Sequence, residues 1–187
     1  MKIAFIGDTH HNEIALEVAS KYINDLKSDI VIHLGDCIED VELLEKTFKG
    51  EIYAVAGNCD FSNTYPKENT LTINGIKIFF THGDLYSVKS TMNSIAIKAE
   101  SIGADIVLFG HTHIPIKEEY RNVIFMNPGS IPKPSPWAKG KYIGFIEIDD
   151  NGSIVTAELK SVELKERRII KYSALKQFTY LSSIQYL

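Results

Sequence analysis

The sequence predicts an α/β fold built on two sheets, and three observations predict it. Apolar runs and stretches of helical periodicity alternate at the start of the chain. Short segments joined by turn residues dominate the remainder. The composition, 44% hydrophobic and 24% charged over 187 residues, is that of one ordinary globular domain, which excludes the disordered, collagen-like and coiled-coil classes.

Residues 1–7 form a short apolar run closed by glycine, as a buried strand requires. Residues 12–27 switch to a helical stripe of Ile14, Val18, Tyr22 and Leu26, widened by Ala15, Ala19 and Ile23. A second strand over 30–34 precedes a helix from about Asp40 that turns Val41, Leu44 and Phe48 inward, and a third strand covers 52–56. This β-α-β-α-β order calls for a largely parallel sheet with helices on its faces. Asn74-Gly75 then joins strands over 71–73 and 76–80 in a hairpin. Met92, Ile95, Ala96, Ala99 and Ile102 make an amphipathic helix stopped by Gly103, followed by a strand over 106–109. Residues 114–120 pair with 123–126, and 142–148 with 154–159, while the proline-rich stretch 128–137 is a long loop. Beyond Ser161, Val162 and Leu164 suggest a further strand, and Tyr172 to Leu187 a tail helix.

The net charge of −4 conceals an asymmetry. Residues 160–176 carry six cations and two acids, +4 locally, so the remainder holds −8. An acidic body argues against tracking a nucleic-acid backbone. No apolar run reaches the roughly 18 residues of a membrane span or follows the charge pattern of a signal peptide. Cys37 and Cys59 are too few for a disulfide framework and read as free thiols of a cytoplasmic protein.

Polar residues gather where strands end. Asp8-Thr9-His10 follows the first, Gly35-Asp36 the second, Gly57-Asn58 the third, His82 the 76–80 strand, and His111-Thr112-His113 the 106–109 strand. Ligand sites of open α/β sheets lie beyond the carboxyl ends of strands, so these five segments are expected to share one cleft. Carboxylate, imidazole and amide oxygen together suit Mn, Fe or Zn better than Ca or Mg. In an extended segment residues i and i+2 point the same way, so Asp8 with His10, and His111 with His113, can each serve one site as a pair. Gly35 and Gly57 permit sharp turns and close approach.

Asp8-x-His10, Gly35-Asp36, Gly57-Asn58, His82-Gly83 and Gly110-His111-Thr112-His113, taken in this order, resemble the calcineurin-like metallophosphoesterase superfamily and its short YfcE-type phosphodiesterases. The resemblance spans residues 1 to about 159 and includes Asn127-Pro128-Gly129-Ser130. It implies a four-layer α/β/β/α sandwich of two mixed sheets as a single domain over 1–160; residues 161–187 lie beyond the resemblance and read as an extension packed on it or on a partner subunit. It further implies two divalent ions, Mn2+ first, with Fe, Zn, Ni or Mg as other candidates. Asp8, His10, Asp36 and His113 would hold one ion. Asp36, Asn58, His82 and His111 would hold the other, with Asp36 bridging. The implied reaction is hydrolysis of a small phosphodiester by a metal-bridging hydroxide, with Asp36, Asn58 and His82 acting through metal and phosphate.

Two departures refine this expectation. Many members place a histidine, thought to protonate the leaving oxygen, where this chain has Cys59, and a thiol is a weaker acid than imidazolium near neutrality. Substrates with good leaving groups are therefore expected. The Asp-Arg-Gly of the Ser/Thr protein phosphatases is also missing, since the chain's three arginines are Arg121, Arg167 and Arg168. Without an arginine clamp a dianionic monoester gains little, which favours a diester. His33 reads as a hydrogen-bonded core or near-site histidine, and His11 as a solvated helix-end residue or a substrate contact. Specificity is expected from loops 61–67, 86–92 and 131–141. The apolar tail and the 132–137 loop suggest a homodimer. The rival reading is a catalytically silent, metal-free protein-binding scaffold like the retromer subunit of the same fold.

Overall fold

The structure, a computed structural model, describes residues 1–61 and 64–164. Strands β1 (Lys2–Ile6), β2 (Ile30–His33) and β3 (Glu51–Ala54) run parallel, with helix α1 (Glu13–Asp25) between the first two and α2 (Val41–Thr47) before the third. Next come β4 (Glu68–Ile73), β5 (Ile76–Thr81), helix α3 (Asn93–Ile102), β6 (Ile106–Leu108), β7 (Ile116–Tyr120), β8 (Val123–Asn127), β9 (Tyr142–Ile148) and β10 (Ile154–Ser161). Two five-stranded mixed sheets result, ordered β10-β9-β1-β2-β3 and β4-β5-β6-β8-β7.

Alternation along the strands builds the layers. Ile3 and Phe5 of β1, Ile30 and Ile32 of β2, Ile78 and Phe80 of β5, and Ile106 and Leu108 of β6 meet between the sheets in one buried cluster. Their neighbours face outward. Ala4, Ile6 and Val31 pack beneath α1 and α2, and Phe79, Val107 and Phe125 beneath α3. This is the α/β/β/α sandwich that the resemblance implies.

Local chemistry sets the boundaries. The Asn12 side chain caps α1 by accepting the Ala15 N–H at 2.9 Å, and Gly103 ends α3 at φ 63°. Asn74 and Gly75 both take positive φ, 49° and 90°, as a two-residue hairpin turn demands. The α1 stripe is rotated from its expected centre: Leu16 is buried with Ala15, Ala19 and Ile23, whereas Ile14 is 46% exposed. Ala4, Ile6 and Val31 receive the face through Leu16, which leaves Ile14 at its rim. At the other end Val162 is buried and donates its N–H to Lys141 O at 2.8 Å. The expected tail helix lies outside the described residues.

Candidate metal centre

The parallel strands deliver their loops to one end of the sandwich, and those loops are strained. Asp8, His10, His11, Asp36, Cys37, His111 and His113 all have left-handed backbone, with φ between 49° and 75°. Such conformations persist in non-glycine residues only where the surroundings fix them. Here the fixing bonds are visible. Asp8 N–H donates to Gly35 O at 3.0 Å, Ser130 Oγ–H to Asp8 O at 2.8 Å, and His111 N–H to Asp8 Oδ2 at 3.0 Å. A Cβ at Gly57 would sit 2.3 Å from Asp36 Oδ1, and one at Gly35 would sit 2.7 Å from Gly57 N. Both glycines are therefore required for close approach.

All seven expected ligand residues converge. Asp8, His10, Asp36 and His113 each offer one donor atom, all within 4.8 Å of one another. Beside them His82 Nε2 lies 3.1 Å from His111 Nδ1, 3.2 Å from Asn58 Oδ1 and 3.4 Å from Asp36 Oδ1, so Asp36 touches both groups. The i and i+2 pairing holds for Asp8 with His10, which share one cluster, and fails for His111 with His113. The segments are left-handed rather than extended, and His111 faces His82 while His113 faces His10 across 3.3 Å.

The donor chemistry points to a cation. His82 Nδ1–H donates to Leu34 O at 2.8 Å and His113 Nδ1–H to Lys133 O at 2.7 Å. A carbonyl can only accept, so Nδ1 carries a proton in both rings, and Nε2 is the atom each turns into the cleft for a metal once that nitrogen is unprotonated. There it meets other acceptors: His113 Nε2 stands 3.1 Å from Asp8 Oδ1, which is buried and accepts no hydrogen bond of good geometry. Lone pairs facing lone pairs at such distances are stable with a positive charge between them, and a mixed imidazole and carboxylate set fits a divalent transition metal.

A proton competes for the same place. Contact with Asp8 raises His113 against the effect of burial. Burial, with Lys133, lowers His10, and burial, with His82, lowers His111. Burial opposes ionisation of Asp36, yet His82 and the Cys59 N–H hold its carboxyl below the usual range. Burial and the neighbouring Asp36 push the Cys59 thiol up, leaving it protonated at neutral pH.

Supporting residues complete the centre. Asp60, unremarked in the sequence, is buried and accepts the N–H groups of Cys37 and Ile38 at 2.7 and 3.0 Å on one oxygen and those of Gly57 and Asp36 at 2.7 and 3.0 Å on the other. It clamps the β2 and β3 loops together. Asn127 donates to Gly110 O and Thr112 Oγ1, steadying the histidine pair. His33 is buried, accepting the Gly35 N–H and donating to Thr9 Oγ1, the hydrogen-bonded near-site histidine of expectation. His11 is held by Asp40 through its N–H and its ring, with its side chain 63% exposed.

An α/β/β/α sandwich with clustered carboxylates and imidazoles at the strand ends defines the class of metal-dependent phosphoesterases. The calcineurin-like phosphoesterase superfamily domain matches residues 1–151, and the chain belongs to that superfamily. The probable metallophosphoesterase YsnB of Bacillus subtilis is 38% identical over 135 residues, covering 72% of this chain and 77% of that protein. A Methanocaldococcus jannaschii protein named phosphodiesterase is 31% identical over 144 residues, covering 69% and 83%. The fold is also that of wild-type Vps29 from Entamoeba histolytica complexed with zinc, at TM-score 0.69 and 23% identity over 86% of this chain and 99% of that one.

Proposed function

We propose that the chain is a dinuclear metal-dependent phosphodiesterase. The convergence of seven residues with nitrogen and oxygen donors carries this reading. One ion belongs to Asp8, His10, Asp36 and His113, and the other to Asp36, Asn58, His82 and His111. Asp36 is taken as the shared carboxylate because it offers an oxygen to the first group and lies 3.4 Å from the His82 Nε2 of the second, with the charge to screen two cations. Bound divalent ions, Mn2+ foremost, supply Lewis-acid polarisation of phosphoryl oxygens and a water of lowered pKa as nucleophile.

The chain's own residues do the rest. The Leu34 and Lys133 carbonyls orient His82 and His113, Asn58 adds a neutral oxygen, and Cys59 donates its N–H to Asp36 at 3.0 Å. Among the described residues the one arginine, Arg121, is paired with Glu100 at 2.6 Å. The charge available to substrate is then lysine, Lys89 and Lys133, which suits the single charge of a diester better than a monoester dianion. A protonated Cys59 thiol is a poor proton donor to a departing alkoxide, so esters of acidic alcohols are favoured.

The scaffold reading rests on the fold shared with Vps29, and the zinc in one such structure shows that this neighbour is not metal-free as the rival reading expected. Metal occupancy alone therefore does not separate enzyme from scaffold, and turnover must. Manganese-loaded protein is expected to hydrolyse bis(p-nitrophenyl) phosphate and to stop when metal is chelated. Full metal occupancy without hydrolysis of this or any other activated diester would favour the scaffold.

A further inference from the structure

We propose that a groove beside the metal centre, walled by Val88, Met92, Ile114, Ile116 and Trp137 with Lys89 among its lining residues, receives a planar aromatic ring carried by the phosphate ester. This rests on the phosphodiesterase reading and names the substrate class for it.

The groove grows out of the centre itself. Its floor includes Thr112, the residue between His111 and His113. One wall starts at His82: the next residue, Gly83, accepts the Val88 N–H at 3.4 Å, and a Cβ on Gly83 would lie 2.8 Å from Val88 Cγ2. The other wall is tied to His113, whose carbonyl accepts the Ser135 N–H at 3.1 Å and whose Nδ1–H donates to Lys133 O at 2.7 Å. Thr112 between two ligand histidines and both walls tied to ligand residues make this groove a neighbour of the centre, within reach of a substituent on a phosphoryl group held there.

Size and chemistry select the occupant. The volume is about 340 Å³, the low end of small-molecule pockets, which run from roughly 300 to 1,000 Å³. A single ring system fits, whereas a folded partner does not enter. Trp137 is 79% exposed, and Ile114 is also exposed. An indole held open on a loop anchored to a ligand histidine offers a stacking face to any ring, since every aromatic has a π-surface. Lys89 lines the same groove, and its ammonium supplies a positive charge for the ester's phosphate.

Competitive inhibition by phenylphosphonate and methylphosphonate, measured against bis(p-nitrophenyl) phosphate on manganese-loaded protein, tests this. Phenylphosphonate should bind roughly tenfold more tightly, the factor about 1.4 kcal/mol supplies. It should also quench the fluorescence of Trp137, the chain's one tryptophan. The phenyl advantage should vanish in Trp137→Ala, fall in Ile114→Ser and return in Trp137→Phe. Adenosine 5′-monophosphate binding more tightly than phenylphosphonate would assign the ring to a nucleoside, and weaker binding to a simple aryl ester. Equal inhibition by both phosphonates in wild type, or a phenyl advantage that survives Trp137→Ala, would overturn the groove assignment. So would light scattering that shows a dimer lost in Trp137→Ala, because a second copy would then fill the groove. Failure of both phosphonates to bind, with no diester hydrolysed, would instead defeat the phosphodiesterase reading beneath it.

Discussion

The two sheets contribute unequally to the centre. Loops after β1, β2 and β3 of the first sheet bring both carboxylates, the amide and one imidazole: Asp8, Asp36, Asn58 and His10. Loops after β5 and β6 of the second sheet bring imidazoles alone: His82, His111 and His113. Charge comes from one sheet and neutral nitrogen from the other, and each proposed ion draws on both. Each proposed ligand set is complete only with residues of both sheets, so the full centre forms once the inter-sheet core of Phe5, Ile32, Phe80 and Leu108 has formed. Metal binding should in turn stabilise the sandwich by mass action.

Removing the shared charge breaks this arrangement most severely. Asp36→Asn should lose both ions and reduce turnover by more than the roughly 10–100-fold typical of losing an outer partner of a metal ligand. Elemental analysis beside a diester assay checks it, and near-normal metal content would show that Asp36 is not shared.

Substitution in the β3 loop sharpens the comparison, because that loop carries both a proposed ligand, Asn58, and the misfit Cys59. Cys59→His should accelerate alkyl diesters by up to roughly 10²–10⁴-fold, the contribution of a placed general acid, while aryl diesters change little. A plot of log rate against leaving-group pKa for both proteins reads it. A shallow wild-type slope that the substitution leaves unaltered would mean another group already donates the proton, with His11 the first to examine.

Asp60 separates support from ligation within the first sheet. Asp60→Asn turns an NH2 toward backbone N–H groups that now meet a carboxylate, which should cost about 3 kcal/mol of stability. Activity should fall roughly 10–100-fold, through looser loops rather than a missing ligand. Denaturant unfolding and metal titration together test this: stability must drop while both ions still bind.

Much of the centre was legible because parallel strands obey a simple rule: their carboxyl ends share one edge. Asp8, Asp36, Asn58, His82 and His111 could be placed there from strand order alone. The rest depended on contacts that no local pattern encodes. Asp60 follows Asn58 and Cys59 like any solvated loop acid, and only the folded chain shows its carboxylate accepting four backbone N–H groups. Periodicity found α1 but not its centre, because the choice between Ile14 and Leu16 lies with the sheet surface beneath. The i and i+2 argument assumed extended backbone; it held for Asp8 with His10, but left-handed turns at His111 and His113 sent that pair in different directions.

Central to all of this is the proposed two-ion centre, with ligands drawn from two sheets. Manganese per chain, measured by elemental analysis after equilibrium dialysis of wild type, His82→Ala and His113→Ala, tests it most directly. Two ions in wild type and one in each variant are expected, since each histidine belongs to a different ion. One ion or none in wild type, or two retained in either variant, would contradict the assignment.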